Sequence, residues 1–474
     1  MRIIGRRNEK KELERCEQSP KSELICVYGR RRVGKTFLIE QTYGDYFAFR
    51  ATGLERGNTR QQLKAFNQRL IECGDNTKTI PKDWFEAFSR LDTVLAQDNV
   101  VLSPHNKKIV FFDEFPWFAT PKSDFLLAFE DFWNRRGTQS GDLIFVICGS
   151  ATSWIIKNVI DNTGSLYHRI TAQIFISPFT LSESELFFND REFGWAREQI
   201  MECQMIFGGL PFFMDLMNSN ESFRQNVDRL LFKQGAILKD ESNRLLEATL
   251  SKSPIYDQIL GELSTHIYGM SKSECMSKLN LPAGSFTRAV DDLIKCGYVI
   301  QYRRKHERNT PLYIQLVDSF LLFHYHFINN KADVTNYSDF ISNSGAYLNW
   351  RGHAFEILCM QHVPQIKNAL GISGVRSDNY PWAGSTVDES AQIDLVIERD
   401  DNITNICEMK YTDKPFSMTK EYDAALLKKR DIFQTKTETT NALKIVLISV
   451  SGLAGVAHTE HISDVVTMDD LFGG

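Results

Sequence analysis

Residues 24–36 read LICVYGRRRVGKT, and this stretch decides the class of the first half of the chain. Leu24 to Tyr28 is a short apolar run bounded by a glycine, the pattern of a buried strand. A helical pattern opens at Lys35. Between them Gly29, Arg30, Arg31, Arg32, Val33, Gly34, Lys35 and Thr36 match the full spacing of a phosphate-binding loop. The two glycines let backbone N–H groups turn inward around a phosphate, and the helix that follows adds its positive end. Lys35 is long enough to reach the outer phosphates, and the Thr36 hydroxyl is placed to hold Mg²⁺. The competing reading is a chance glycine-rich turn, but a loop set between a strand and a helix argues against it. The expected ligand is therefore ATP with Mg²⁺, held from Gly29 to Thr36 with Phe37 next in line.

Working outward, apolar runs recur at 46–49, 109–112, 143–148 and 174–176. Helix-like stretches separate them, among them 59–72, 123–133 and 151–160. Strands alternating with helices predict a parallel sheet covered on both faces. The run IVFFDEF puts Asp113 and Glu114 at the end of a buried strand. Asp113 is then a candidate to hold Mg²⁺ through a water, and Glu114 to orient and polarise the attacking water. Alone, an acidic pair at a strand end is as often merely solvated. The next run, LIFVICGS, ends at Ser150, a candidate γ-phosphate sensor or simply a helix cap.

The bulk numbers set the frame. With 474 residues the chain is expected to form two or three domains. Its 42% hydrophobic and 24% charged residues are those of a globular protein. A net charge of −5 excludes a uniformly basic nucleic-acid coat, so any such contact needs a local patch. Nine cysteines stand singly with no Cys-x-x-Cys pair, which offers no zinc site and suits a reducing, cytoplasmic setting. No apolar run is long enough to cross a bilayer, so no membrane partner is expected.

From 182 to 250 the strand signal disappears and helical periodicity dominates. Residues 255–315 then read as three helices, 255–267, 271–279 and 285–296, followed by a two-stranded wing, YVIQYRR…TPLYIQL. Between Thr265 and Thr310 eight Lys and Arg face four Asp and Glu, and Arg303, Arg304 and Lys305 cluster in the wing. Asp291 and Asp292 on the third helix count against deep entry into a DNA groove. An aromatic helix at 320–328 and a polar linker at 331–349 come next.

The last segment carries a second constellation. QIDLVIER and NICEMKY flank a polar turn at 399–402, which predicts a hairpin. If the turn centres on Asp401, Asp394 faces Glu408 with Cβ atoms about 5 Å apart. Lys410 projects from the same face as Glu408. Two carboxylates and a lysine suit metal-dependent phosphodiester hydrolysis, with Asp394 and Glu408 as metal ligands and Glu408 and Lys410 acting on the attacking water. The competing reading is three ordinary solvated residues, against which stand the apolar neighbours Ile393, Leu395, Val396 and Ile397.

These motifs resemble the archaeal-type ATPases, a branch related to the AAA+ and signal-transducing ATPases. The resemblance runs through IIGRRNEKKEL, GRRRVGKT, FFDEF, CGS and GGLPFF at 208–213, and covers nearly the whole chain. It implies an α/β fold: a P-loop NTPase parallel sheet with a helical lid, a winged helix-turn-helix, and a C-terminal α/β nuclease-like domain. The Ser150 strand would lie between the Gly29 and Asp113 strands. Pro211 would lie near the adenine, and Arg169 would act on the phosphates, in cis or from a neighbouring subunit. The C-terminal hairpin resembles the PD-(D/E)xK nucleases, with Glu356 in RGHAFEIL matching their auxiliary acidic ligand, although Ile393 stands where that family has proline. The expected boundaries are 1–181, 182–250, 251–330, 331–349 and 350–474. Two functions compete: an ATPase coupled to a DNA-acting module that cleaves, and a nucleotide-switched regulator that binds DNA or protein, as a homo-oligomer or with a partner, and cuts nothing.

Overall fold

The computed structural model describes residues 2–161, 169–250, 253–266, 268–303, 311–329, 337, 344–385, 389–455 and 457–473. The chain forms two compact units, Met1–Pro178 with Leu245–Ser251, and Phe179–Arg244 with Lys252–Gly474. Among the described residues no helix is long and apolar enough to cross a membrane.

The first unit is built on strands β1 (Glu23–Tyr28), β2 (Phe47–Thr52), β3 (Lys108–Asp113), β4 (Leu143–Gly149) and β5 (Ala172–Phe175). They form one sheet in the order β2-β3-β4-β1-β5, parallel throughout. β4 thus lies between β1 and β3, as the resemblance implies. Every residue of β4 is buried, which is why its sequence runs apolar without alternation. The helix Thr59–Glu72 opens on a reciprocal cap in which Asn58 and Gln61 satisfy each other's backbone N–H groups. A helix not named above, Trp84–Leu95, starts on Asp83 and buries Trp84, Phe88 and Leu91 along one stripe. Its rings interlock with Phe66, Phe112 and Phe125 at centroid separations of 4.8–6.2 Å, the distances of favourable aromatic packing. Because the strands are parallel, the carboxyl ends of β1, β3 and β4 meet at one edge, the place where open α/β sheets hold ligands. That edge carries Gly29, Asp113 and Ser150.

The second unit begins with helices only: Leu181–Asp190, Arg197–Phe207, Pro211–Asp215 and Phe223–Val227. Helices Pro254–Ser264, Lys272–Lys278 and Ala283–Lys295 follow, with a small sheet of β6 (Met270–Ser271), β7 (Val299–Tyr302) and β8 (Tyr313–Leu316) in the order β6-β8-β7. The expected wing is therefore an antiparallel pair. Tyr302 stacks on Tyr313 at 5.7 Å and joins the apolar cluster of Tyr380, Trp382, Ile393 and Phe433. Arg303 is exposed, whereas Arg304 and Lys305 lie outside the described residues.

The helix Gly345–Gln361 begins inside the segment expected as linker. Ser344 caps it by accepting the Tyr347 N–H at 3.1 Å, and Tyr347 is buried, so packing rather than local polarity decides this stretch. The rest of the expected linker lies almost wholly outside the described residues. Strands β9 (Ser377–Ser385), β10 (Ser390–Arg399) and β11 (Ile403–Lys410) form an antiparallel meander. A short pair follows, β12 (Phe416–Ser417) with β14 (Leu453–Ala454). β13 (Ala442–Ser449) and β15 (Ile462–Thr467) complete a five-stranded sheet in the order β15-β13-β11-β10-β9. The helix Lys420–Thr437 packs against β9, β10 and β13.

Candidate functional site

At the edge of the first unit, Gly29 follows β1 with φ +145°, and a Cβ there would meet the Ile176 carbonyl oxygen at 2.5 Å. Only glycine fits. Gly34 has φ +90° and caps the helix Lys35–Tyr43, so the chain turns tightly enough to direct N–H groups inward. Arg6 donates to the Val33 carbonyl at 3.0 Å and braces the loop from the N-terminal segment. Arg30 is buried, while Arg31, Arg32, Thr36 and Phe37 are half-buried.

Lys35 is 5% exposed, and its ammonium donates to Gly29 O and Arg30 O at 2.8 Å each, and to Ser150 Oγ at 3.2 Å. Burial lowers its pKa. The Thr36 hydroxyl donates to Asp113 at 3.1 and 3.2 Å. Burial raises the Asp113 carboxyl, and neighbouring Glu114 adds to the rise. Glu114 accepts from the Ser150 N–H at 3.1 Å and from its hydroxyl at 2.9 Å. Lys35, Thr36, Asp113, Glu114 and Ser150 thus form one connected set, drawn from three strand ends.

Cys148 is a member of this set that sequence reasoning missed. Burial pushes its thiol pKa far up, and the charge of Asp113 adds to the effect. The LIFVICGS run held the signal, since Cys148 sits two residues before Ser150 and on the same side of the strand. Arg169 is exposed and belongs to the first unit. Pro211 opens the helix Pro211–Asp215 of the second unit and is half-buried.

The C-terminal constellation lies within the second unit. β10 pairs with β11 in the register expected from the turn: Leu395 faces Cys407 and Val396 faces Ile406. Continued one residue, this register sets Asp394 opposite Glu408. Against β9 the register shifts between Ile393 and Val396, at the point where Pro381 stands. Proline has no N–H to give the ladder, so a bulge forms there and re-aims Asp394. Asp394 Oδ2 accepts the Met409 N–H at 2.8 Å. Burial pushes Asp394 up to about 7, and Glu408 and Glu356 contribute. Burial likewise takes Glu356 to about 7, with Lys410 opposing the rise. His353 Nδ1 stands 3.4 Å from Glu356, and burial lowers that imidazole to about 4.

Glu408 is differently placed. Lys410 reaches Oε1 at 2.9 Å, Lys429 reaches Oε2 at 2.6 Å, and the Tyr422 hydroxyl also donates to Oε1. Burial works against its charge, but Lys429 and Lys410 outweigh it and hold the carboxyl below its ordinary range. Among the described residues no group of three or more His, Cys, Asp or Glu is arranged to hold a metal ion. Lys429, Tyr422 and Tyr268 were all missed in the sequence. Burial raises Tyr268, and Glu356, Asp394 and Glu408 add to it, which puts its phenol within electrostatic reach of all three acids. Nothing local in the sequence marks which lysine of the helix Lys420–Thr437 turns inward.

No family model matches the chain. An uncharacterised protein of Methanocaldococcus jannaschii is 22% identical over 403 residues, 81% of this chain and 83% of that protein. Among solved structures, a Walker-type ATPase of Pyrococcus abyssi aligns with a TM-score of 0.49 at 17% identity, covering 68% of this chain and 96% of that one. The ORC2 protein of Aeropyrum pernix aligns with a TM-score of 0.42 at 13% identity, covering 68% and 93%. A signal-transduction ATPase of Pyrococcus horikoshii aligns with a TM-score of 0.30 at 13% identity, covering 78% and 52%. Likeness at these levels assigns no activity to this chain.

Proposed function

We propose that the chain binds ATP with Mg²⁺ on the loop Gly29–Thr36 and hydrolyses it with Glu114 as the group that polarises water. The observation that carries this reading is the contact of Thr36 with Asp113, at 3.1 Å, beside the buried Lys35 ammonium. A hydroxyl at a helix start and a carboxylate at a neighbouring strand end are the donors Mg²⁺ takes beside phosphates. When bound, the ion neutralises charge on the β- and γ-phosphate oxygens. Lys35 then holds the outer phosphates and the loop N–H groups cradle the rest. Arg169, being exposed, is free to act on a phosphate in cis or from a neighbouring subunit.

For the second unit we favour the regulator that binds without cutting. Glu356, Asp394, Glu408 and Lys410 gather as a nuclease site would require, but they do not fit a divalent ion as arranged. Both oxygens of Glu408 are engaged by lysines, and no three-ligand group is present among the described residues. The helices Pro254–Ser264, Lys272–Lys278 and Ala283–Lys295 with the β7–β8 pair support a winged helix-turn-helix. The apolar residues of the pair turn toward the chain's own sheet, which leaves Arg303 to face a partner such as DNA.

The test is calorimetric titration of the full chain with ATP and Mg²⁺. Wild type should bind, and Lys35→Ala should bind at least about a hundredfold more weakly. Equal affinity in the variant overturns the site. Cleavage of single-stranded, duplex or branched DNA with Mn²⁺ that disappears in Asp394→Ala would restore the cleaving alternative.

A further inference from the structure

We propose that the helices at 181–215, read from the sequence as a lid, also serve as the handle of the C-terminal segment 345–473: they are pinned to its first and last helices, so that the two move as one body. This goes beyond the ATPase reading and does not rest on it.

The chain leaves the first unit at Pro178 and enters the second at Phe179. Both ends of this crossing are fixed through the backbone. Ile176 N–H donates to Tyr28 O at 2.8 Å, and the Ile176 carbonyl fills the space that a Cβ on Gly29 would need. Further on, Phe179 N–H donates to Gly209 O at 2.7 Å, and Phe179 O accepts from Gln204 Nε2 at 2.6 Å. Gly209 has φ +65°, and a Cβ on it would meet Phe179 O at 2.5 Å. The second glycine of the GGLPFF stretch is therefore required by the crossing itself. Only Ser177 and Pro178 lie between Ile176 and Phe179, and proline fixes φ, so this link has little slack.

Three contacts then tie the helices that follow to segments far along the chain. Leu181 N–H, at the start of the helix Leu181–Asp190, donates to His362 Nε2 at 3.0 Å. His362 is 1% exposed, and its Nδ1 donates to Leu358 O at 2.8 Å. A carbonyl only accepts and a backbone N–H only donates, so the imidazole is neutral with its proton on Nδ1. Burial, which lowers its pKa, favours that form. Arg197 is held by Glu185 at 2.6 Å and reaches Asp469 at 2.8 Å, with its guanidinium 4.8 Å from the centre of the Phe472 ring. The Tyr347 hydroxyl donates to the Glu202 carboxylate.

Tyr347 and His362 stand at opposite ends of the helix Gly345–Gln361, about 22 Å apart at roughly 1.5 Å per residue. A single pin would leave that helix free to pivot, whereas two pins at that spacing hold its direction. Asp469 and Phe472 add the helix Met468–Leu471, which follows β15. A displacement of the crossing is thus delivered to both ends of the first helix of the C-terminal segment, rather than absorbed in a loop.

Hydrogen exchange of the full chain, read by mass spectrometry on peptides, tests the handle. His362→Leu removes the acceptor for Leu181 N–H. Exchange at 181–190 and at 345–361 should rise together by about tenfold, the effect of one buried donor left unpaired. His362→Gln, whose amide oxygen can accept near the Nε2 position, should bring both back toward wild type. Tyr347→Phe keeps the ring and removes the hydroxyl, and exchange at 197–207 should rise by about tenfold. Peptides 23–28 and 143–149 of the first unit should not change in any variant. Exchange at 181–190 unchanged in His362→Leu, or at 197–207 unchanged in Tyr347→Phe, overturns the handle, because the effect then stays within the substituted segment. If His362→Leu does not fold, Tyr347→Phe decides alone.

Discussion

The Thr36 hydroxyl lies 3.1 Å from Asp113 Oδ2, although 77 residues separate the two along the chain. The contact exists because β3 and β1 are parallel strands with only β4 between them, so their carboxyl ends open on the same edge. Asp113 is buried there, and burial raises its carboxyl toward the neutral form. A divalent cation bound beside it would reverse that pressure.

Replacing Asp113 by Asn therefore has two expected effects of opposite sign. The nucleotide-free protein becomes more thermally stable, because a desolvated charge is removed while its shape is kept. The gain in ATP affinity that Mg²⁺ brings should fall by about tenfold or more. Calorimetry with Mg²⁺ and with a chelator reads the second effect. A Mg²⁺ dependence equal to wild type would move the cation elsewhere.

Asp394→Asn tests the C-terminal set without assuming an activity. Burial, Glu408 and Glu356 push Asp394 up to about 7, above the ordinary carboxyl range. The folded protein then binds more protons than the unfolded chain between about pH 4 and 7, so stability falls as pH rises through that window. Asn keeps the acceptor for the Met409 N–H and removes the charge. At pH 8 the variant should be more stable than wild type, on the order of 4 kcal/mol, and the advantage should vanish near pH 4. Chemical unfolding at both pH values decides it. An advantage that persists unchanged at pH 4 would mean the gain is packing rather than charge.

His324 gives the opposite slope. Burial lowers its imidazole to about 4, and Asp257 and Asp240 only partly offset this. Its Nε2 lies 2.9 Å from Ser242 Oγ, and Nδ1 has no hydrogen-bond partner among the described residues. The unfolded chain binds the extra proton between about pH 6.5 and 4, so this residue's contribution is present above pH 6.5 and lost toward pH 4. The difference amounts to about 3 kcal/mol. His324→Phe should lose that much less stability than wild type between pH 7.5 and pH 4. Parallel losses in the two proteins would place the acid sensitivity in other groups, such as His353.

The sequence by itself determined whatever depends on near neighbours. Gly29 to Thr36 is contiguous, so its chemistry is written in eight residues. The apolar runs announced β1, β3 and β4, because a strand buried on both faces has no polar positions to confuse the pattern. The hairpin register was also legible: a short polar turn at Asp401 leaves antiparallel strands little choice of partner. Only the tertiary structure decided the rest. Which lysine of the helix Lys420–Thr437 meets Glu408 depends on how that helix lies on the sheet, and Lys428 and Lys429 look alike in sequence. The helix at Gly345 overrode a polar stretch because Tyr347 found a buried place. The bulge at Asp394 needed Pro381 from a strand that the sequence pattern did not reveal. The engagement of Ser150 with Glu114 and Lys35 arises from three strand ends brought together by a parallel sheet. Local sequence specifies local geometry and the chemistry available; which charges neutralise one another is set by contacts between segments far apart in the chain, and those form only on folding.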